Sequence, residues 1–428
     1  MAFMKPSHLK PSDMGSGLRA ADDGSRFALF RGTPTLRSMT ADSPWGAWGA
    51  VPDDGDVRPA SRIPPIRNGV DRRNKKHHFV SVTYMNGFLN DAGRVWAYRA
   101  EAPENPSTTR PEAVGYQNHY YSQTLPDGSV ESHRFEDLWN SFETVWEDTR
   151  GAVADRRVSP AISFNLLGMA ALMRVRVPAA RERNEVLLAT RLRAEALSLE
   201  SFGALPIELA RYSGILDTIP VGINPQATLE AMNADFKAFG DLCFQIGFEV
   251  LHNTTDVPFI TSDNPVCIHD PTVPTLRRRP YTHGRNVELL FPIDAWTILR
   301  GSSRLSPVNH VGRHRIIGDS AAVRRINWTT ARYAYRLSIA SDRSADAVIA
   351  RNAAESPTVS IRVMTVGKEI QIIWKDVFGS RPYLSPYIDT AEKAERLEAR
   401  LAAVDEVDAN TGTPGKPNST LKAVSRLR

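Results

Sequence analysis

Cysteine is scarce in this sequence, with only Cys243 and Cys267 among 428 residues. The two cysteines do not form a Cys-x-x-Cys pair, which argues against a zinc or redox site built from thiols. We expect both thiols to be small buried hydrophobes of a protein from a reducing compartment.

Long apolar runs are also missing. No run approaches the roughly 20 residues that span a bilayer, and the start at Met1 has no basic stretch followed by an apolar core. The content of 42% hydrophobic and 24% charged residues is that of an ordinary globular protein. We therefore expect a soluble cytoplasmic protein of two or three domains, at roughly 100 to 200 residues each, with no membrane partner.

Several catalytic signatures are absent as well. The histidines show no HExxH or His-x-His spacing, and the chain has no Gly-x-Ser-x-Gly turn and no P-loop. These absences disfavour a strong metal motif, acyl transfer by a serine nucleophile and nucleotide hydrolysis.

Positive charge is present but unevenly placed. Residues 1–76 carry 13 Lys and Arg against 8 Asp, a charge of +5, and residues 405–428 carry 4 against 3, a charge of +1. Since the whole chain is +5, residues 77–404 carry about −1 and have no overall reason to bind phosphate groups. A nucleic acid partner is predicted only at the basic N-terminal arm or at Arg277, Arg278 and Arg279, where a solvated loop is the alternative.

The chain is expected to have a folded centre between two tails. Its first 76 residues contain 8 Gly, 8 Pro and no Glu, a composition that cannot bury enough surface to offset the entropy of ordering. We predict four segments: a disordered basic arm at 1–70, an α+β domain at 71–342, a hairpin and helix packed on it at 343–404, and a disordered tail at 405–428.

Hydrophobic periodicity predicts the elements of the folded part. Short strands and turns are predicted over 77–125 and mainly strands over 243–375. Helices are predicted to start near Phe135 and to cover about 159–177, 180–202, 226–240 and 319–335. The fold class is therefore α+β, with a helical middle packed on a mainly antiparallel sheet.

The stretch FITSDNPVCIHD, residues 259–270, places Asp263 and Asn264 between two short runs of strand-forming residues. In one interpretation they make an Asx turn, in which Asp263 accepts from backbone N–H groups two residues on and Pro265 keeps Asn264 extended. In the other, Asp263 lies at a strand end, where it ligates a metal or orients a base.

Three further polar residues are candidates for a site. His77 and His78 are adjacent, so in a strand they face opposite sides and only one can join a site. Glu143 lies on an apolar helical face, where a carboxylate needs a cation, a donor or a metal. Pairing with Arg174 or Arg176 of the next helix is the structural alternative to a metal.

The order of these motifs resembles the bacterial domain-of-unknown-function family 4238 over residues 77 to about 340. The string Phe259–Val266 carries the strongest likeness, whereas RVRVP at 174–178 departs from the usual Arg-Thr-Pro by an insertion. The other matching positions are Lys76, His77, His78, Phe79, Tyr84, Phe88, Gly93, Tyr98, Tyr120, Tyr121, Glu136, Glu143, Phe291, Pro292 and Asn327 to Tyr335. The resemblance implies little about activity, because the family's name records none and its members look like accessory prokaryotic proteins.

Two functional hypotheses follow. The first is an enzyme, a metal-assisted and nuclease-like hydrolase, with Asp263, Glu143, His78 and Asn264 as catalytic residues and His77, His78, Glu143 and Asp263 as ligands of a divalent metal. The second is a non-catalytic interaction or binding protein in which these residues are structural. Convergence of Asp263, Glu143 and one histidine in a polar cleft would favour the first hypothesis.

Overall fold

The computed structural model describes most of the centre of the chain and two short strands before it. The described residues are 19–20, 26–29, 76–118, 123–124, 130–131, 140–205, 207, 213–214, 216, 221, 223, 225–281, 285–307, 311–366 and 369–380. Most of the predicted arm at 1–70, the helix expected near the end of 343–404 and the tail at 405–428 therefore lie outside the described residues.

The helices lie mainly in the middle of the chain, as predicted. They are α1 (Val82–Met85), α2 (Trp146–Ala154), α3 (Pro160–Val175), α4 (Pro178–Ser201), α5 (Pro225–Gln245), α6 (Ser320–Tyr333) and α7 (Asp346–Asn352), and residues 140–144 are also helical. Nowhere in the described ranges is a helix both long and apolar enough to cross a membrane.

Local sequence explains where the helices begin. α3 and α4 each start with a proline, whose fixed φ suits the first turn and whose missing N–H is not needed there. Ser159 caps α3 by accepting a hydrogen bond from the Ile162 N–H at 3.2 Å. The Asp319 carboxylate caps α6 in the same way, by accepting from the Ala321 N–H at 2.8 Å.

The described strands form five sheets. They are β1 (Arg19–Ala20), β2 (Arg26–Leu29), β3 (Lys76–His78), β4 (Val95–Arg99), β5 (Ser107–Thr109), β6 (Tyr116–Asn118), β7 (Gln123–Thr124), β8 (Val130–Glu131), β9 (Gly247–Asn253), β10 (Thr261–Ser262), β11 (Cys267–His269), β12 (Glu288–Pro292), β13 (Thr297–Ser302), β14 (His314–Ile317), β15 (Leu337–Ala340), β16 (Ser356–Val366) and β17 (Glu369–Gly379). The largest sheet has the order β11-β12-β13-β9-β14. Its strands pair antiparallel except β14, which runs parallel to β9.

Two four-stranded sheets, β10-β15-β4-β5 and β1-β2-β17-β16, and the pairs β3-β6 and β7-β8 complete the set. The α+β fold class is thus confirmed. The mainly antiparallel sheet expected over 243–375 is divided among three sheets. β4, from the segment of short strands predicted over 77–125, pairs with β15 so that Tyr98 lies opposite Ser338. Periodicity predicts a strand but not its partner when the two are far apart in sequence.

The C-terminal hairpin forms where it was predicted. β16 and β17 pair from Val366 opposite Glu369 to Ser356 opposite Gly379. β2 pairs antiparallel with the outer side of β17. Part of the predicted arm is therefore a strand of this sheet, a contact that the composition of the arm did not predict.

The main hydrophobic core joins α1, α3 and the five-stranded sheet. Tyr84 of α1 stacks on Phe291 of β12 with ring centroids 5.4 Å apart, and its hydroxyl donates to the Pro292 carbonyl at 2.7 Å. Cys243 and Cys267 are free and buried, as predicted. Burial raises the pKa of both thiols, which keeps them protonated.

Candidate functional site: an arginine-lined cleft

Asp263 follows β10 and is fully buried. The Tyr335 N–H donates to its Oδ1 at 2.7 Å and the Arg336 N–H to its Oδ2 at 2.8 Å. Burial raises the pKa of the Asp263 carboxyl to about 6, against the lowering effect of these hydrogen bonds. The predicted Asx turn is therefore wrong in its partners, because the carboxylate joins β10 to the segment before β15 instead of closing a local turn.

Asn264 is also fully buried and also makes long-range contacts. Its Nδ2 donates to the Tyr281 hydroxyl at 2.8 Å and to the Tyr333 carbonyl at 2.9 Å. The Arg174 guanidinium lies over the Tyr281 ring, with Cζ 3.8 Å from the centroid. The amide thus ties the end of α6 to the connection between β10 and β11, which is a structural role.

Arg176 and Glu143 form an ion pair with Nη1 and Oε1 2.5 Å apart, which confirms the predicted pairing of this carboxylate with Arg174 or Arg176. The Arg176 side chain is 1% exposed and also donates to the carbonyls of His78 and Phe79, each at 3.0 Å. His77 is buried and His78 half-buried, as their opposite orientations in a strand require. Arg176, at the end of α3, therefore donates hydrogen bonds to acceptors from two other segments of the chain.

The predicted metal ligands do not assemble. Within the described ranges, which include His77, His78, Glu143 and Asp263, no three His, Cys, Asp or Glu side chains are grouped as metal ligands would be. Glu143 and the His78 carbonyl share an arginine partner, whereas backbone N–H groups of another segment hold Asp263. The divalent metal, and the catalytic roles of these residues and of Asn264, stay predictions that none of these contacts supports.

The predicted arginine run is only partly exposed. Arg277 is exposed, while Arg278 and Arg279 are half-buried. The Arg278 Nε donates to the Val273 carbonyl and its Nη1 contacts the His269 Nε2, both at 3.1 Å. The middle residue of the run is therefore anchored in the fold, where it lines a cleft.

This cleft has a volume of about 520 Å³ and lies between the five-stranded sheet and α6. Its size falls within the range of about 300 to 1,000 Å³ that is usual for small-molecule sites. One face of the sheet lines the cleft with Leu251, Leu290, Arg300 and Arg315. Leu290 lies opposite Arg300 and Leu251 lies opposite Arg315 on neighbouring strands, and every second residue along a strand points to the same face. The apolar part of the lining includes Leu251, Leu290, Ile317 and Ile326.

The floor of the cleft consists of charged side chains that form ion pairs and hydrogen bonds with one another. Arg300 donates from Nε and Nη2 to Glu288 at 2.9 and 2.7 Å, and from Nη1 to Glu249 at 2.6 Å. On the other side of Glu288, the His269 Nε2 lies 3.4 Å from its Oε1. Burial works to raise the pKa of Glu288, but the hydrogen bonds and charges of His269 and Arg300 lower it to about 2. This carboxylate is therefore ionised at every physiological pH.

The rim of the cleft is less well paired. Arg315 of β14 is exposed and, among the residues that the structure describes, no ion pair or hydrogen bond of its side chain is found. Arg325 of α6 approaches Asp319 to 3.7 Å, with both side chains more than half exposed, an arrangement that contributes little in water. The two guanidinium groups are thus available to a ligand.

Sequence reasoning found Arg278 but missed Arg315 and Arg325. The three residues come from separate segments, and they meet only because β14 pairs with β9 and α6 then crosses the same sheet face. The signal in the sequence was the dense run of cations in RHRIIGDSAAVRR at 313–325, which falls within a part of the chain that is near neutral as a whole.

A comparison with protein families agrees with the motifs. The profile of the family described as "Protein of unknown function (DUF4238)" matches residues 76–344, more than half of the chain. No curated protein and no solved structure matches the chain. Both the Asp263–Asn264 segment and all the residues that line the cleft lie within the matched span. The chain therefore belongs to DUF4238, a family of proteins of unknown function.

Proposed function

We propose that this protein binds a phosphate-bearing small molecule in the cleft between the five-stranded sheet and α6. The observation that carries the proposal is the balance of charge around the cleft, since four arginines line it against the carboxylates of Glu288 and Asp319, and the charge stays positive when Glu249, which binds Arg300 in the floor, is counted as well. Such a local excess attracts anions even though the folded part of the chain is close to neutral. The proposal makes the protein a binding protein, the second of the two hypotheses from the sequence.

Arginine chemistry favours phosphate as the anion. Arg315 and Arg325 present planar guanidinium groups on facing elements, and a guanidinium binds phosphate oxygens through two parallel hydrogen bonds. Arg300 is different, because the hydrogen bonds that its guanidinium makes to described residues all go to Glu288 and Glu249. We therefore assign the ligand to the two rim arginines, with Arg278 beside them.

The apolar lining implies that the ligand is more than a free anion. Leu251, Leu290, Ile317 and Ile326 border the same cleft, and removing their surface from water stabilises a complex only if the ligand has an organic part to cover it. The ligand class is thus an organic phosphate.

The hydrolase hypothesis has less support. The carboxylate of Asp263 is bound by two backbone N–H groups and that of Glu143 by Arg176, and neither residue lines the cleft. The free thiols of Cys243 and Cys267 support the proposal that the protein works in a reducing compartment such as the cytoplasm.

Isothermal titration of the full chain with inorganic diphosphate, without added metal, tests the proposal. We expect measurable binding that weakens as salt rises, and a loss of roughly 5- to 20-fold in affinity in each of Arg315→Ala and Arg325→Ala, as for one charged hydrogen-bonding contact. Arg351→Ala is the matched control, since this exposed arginine lies in α7 outside the cleft. Absence of binding, or equal affinities of all three variants, would overturn the proposal.

A further inference from the structure

We propose that the organic phosphate is a nucleoside phosphate whose sugar or base donates a hydrogen bond to Glu288. This inference rests on the proposed function and names the ligand class of the same cleft. It uses a second feature of the cleft that phosphate binding leaves unexplained, the half-buried carboxylate of Glu288 in the floor of a site with an excess of arginines.

One carboxylate oxygen of Glu288 can accept a further hydrogen bond. Its Oε2 accepts two hydrogen bonds from Arg300, while its Oε1 has, among the described residues, only the contact of 3.4 Å to the His269 Nε2. A carboxylate oxygen accepts about two hydrogen bonds. The Oε1 atom can therefore accept from a donor on the ligand, and the Arg300 contacts hold it in place before the ligand arrives.

A pure anion does not match this carboxylate. Glu288 remains ionised, because burial, which would raise its pKa, is outweighed by His269 and Arg300, which lower it to about 2. A phosphate group beside it would be repelled, so the phosphates belong at Arg315 and Arg325 and a donor group belongs at Glu288. The two requirements together describe a ligand with an anionic end and an end that carries O–H or N–H donors.

Nucleotides meet both requirements. Acidic side chains accept from ribose hydroxyls in dinucleotide sites and from amino groups of bases at nucleic acid interfaces. The flat rings also suit the apolar wall of Leu251, Leu290, Ile317 and Ile326. The cleft of about 520 Å³ is of small-molecule size, which favours a mononucleotide over a polymer.

The test compares inorganic diphosphate with ADP, GDP, CDP and UDP by isothermal titration of the full chain. At least one nucleoside diphosphate should bind ten or more times more tightly than inorganic diphosphate. Glu288→Gln should weaken that nucleotide at least fivefold while leaving inorganic diphosphate unchanged or tighter, because the substitution removes a negative charge and adds a competing N–H₂ donor.

Glu147→Gln is the matched control, since Glu147 also pairs with an arginine, Arg150, but lies in α2 outside the cleft, and it should leave both affinities unchanged. If inorganic diphosphate binds and no nucleotide binds ten or more times more tightly, this inference fails and the proposed function stands. If neither binds, both fail. Tighter binding of a single-stranded oligonucleotide than of every mononucleotide would also overturn the inference. Should Glu288→Gln not fold, the ratio of nucleotide to diphosphate affinity in the unaltered protein still decides.

Discussion

The backbone N–H of Tyr335 donates a hydrogen bond of 2.7 Å to the Oδ1 of Asp263, a residue 72 positions earlier in the chain. The second oxygen accepts from the next N–H, that of Arg336, at 2.8 Å. Asp263 thus fixes the turn between α6 and β15, and α6 carries one wall of the cleft. Asp263 of the FITSDNPV string therefore helps to position one wall of the candidate site but does not line the cleft.

Asp263→Asn is expected to lower the free energy of unfolding by about 1 to 3 kcal/mol at pH 7, because an amide nitrogen would face a backbone N–H in the interior. Urea denaturation of the full chain measures the change. Asp91→Asn, at an exposed position, is the control and should stay within about 0.5 kcal/mol. A metal ligand would instead show a loss that appears only with divalent cations present.

The same variant has a predicted pH dependence. The folded-state pKa of Asp263 is about 6, against an ordinary value of 3.8, so the folded protein holds this proton more tightly than the unfolded chain. The resulting stabilisation is complete below pH 3.8 and is lost as pH rises through 6, a span of about 3 kcal/mol. The stability difference between the wild type and Asp263→Asn should therefore shrink between pH 4 and pH 7 in urea titrations. A difference that grows over this range would contradict the assignment.

Arg176→Met is expected to be strongly destabilising. The substitution leaves the carbonyls of His78 and Phe79 and the carboxylate of Glu143 without their donor, at a cost of roughly 3 kcal/mol. The matched control is Arg157→Met, at an exposed ion pair, which should change the free energy of unfolding by less than about 1 kcal/mol. Similar values for the two variants in denaturant titrations would show that Arg176 does not organise this region.

Two helical glycines should respond to alanine in opposite directions. A Cβ at Gly168 of α3 would lie 2.0 Å from the Cε1 of Phe142, so Gly168→Ala is expected to cost about 1 to 3 kcal/mol through overpacking. A Cβ at Gly151 of α2 meets nothing within 4 Å, so Gly151→Ala is expected to gain up to about 1 kcal/mol from helix propensity. Thermal unfolding of both variants checks the pair, and a common sign would contradict the packing.

Local features of the fold could be predicted because local residues determine them. α6 was expected at about 319–335 and runs from Ser320 to Tyr333, since Asp319 caps its first turn. The hairpin of β16 and β17 follows from two apolar strands with a short connection. The pairing of Glu143 with Arg176 was predictable too, because a carboxylate on an apolar helix face needs a nearby cation.

Long-range relationships could not be predicted from the same patterns. The sequence around Asp263 does not indicate that its carboxylate accepts hydrogen bonds from the N–H groups of residues 335 and 336. The sequence around Arg315 likewise does not indicate that β14 pairs parallel to β9. A carboxylate that closes its own turn and one that holds a distant segment require the same residue type. The sequence therefore identified Asp263 as unusual but assigned it the wrong partners.

The central claim, that the cleft between the five-stranded sheet and α6 binds phosphate, is tested most directly by a crystal structure of the protein grown with inorganic diphosphate. We predict density for the diphosphate between β14 and α6, within hydrogen-bond distance of the guanidinium groups of Arg315 and Arg325. An empty cleft at a diphosphate concentration that saturates binding in solution, or diphosphate bound only elsewhere on the protein, would contradict the claim.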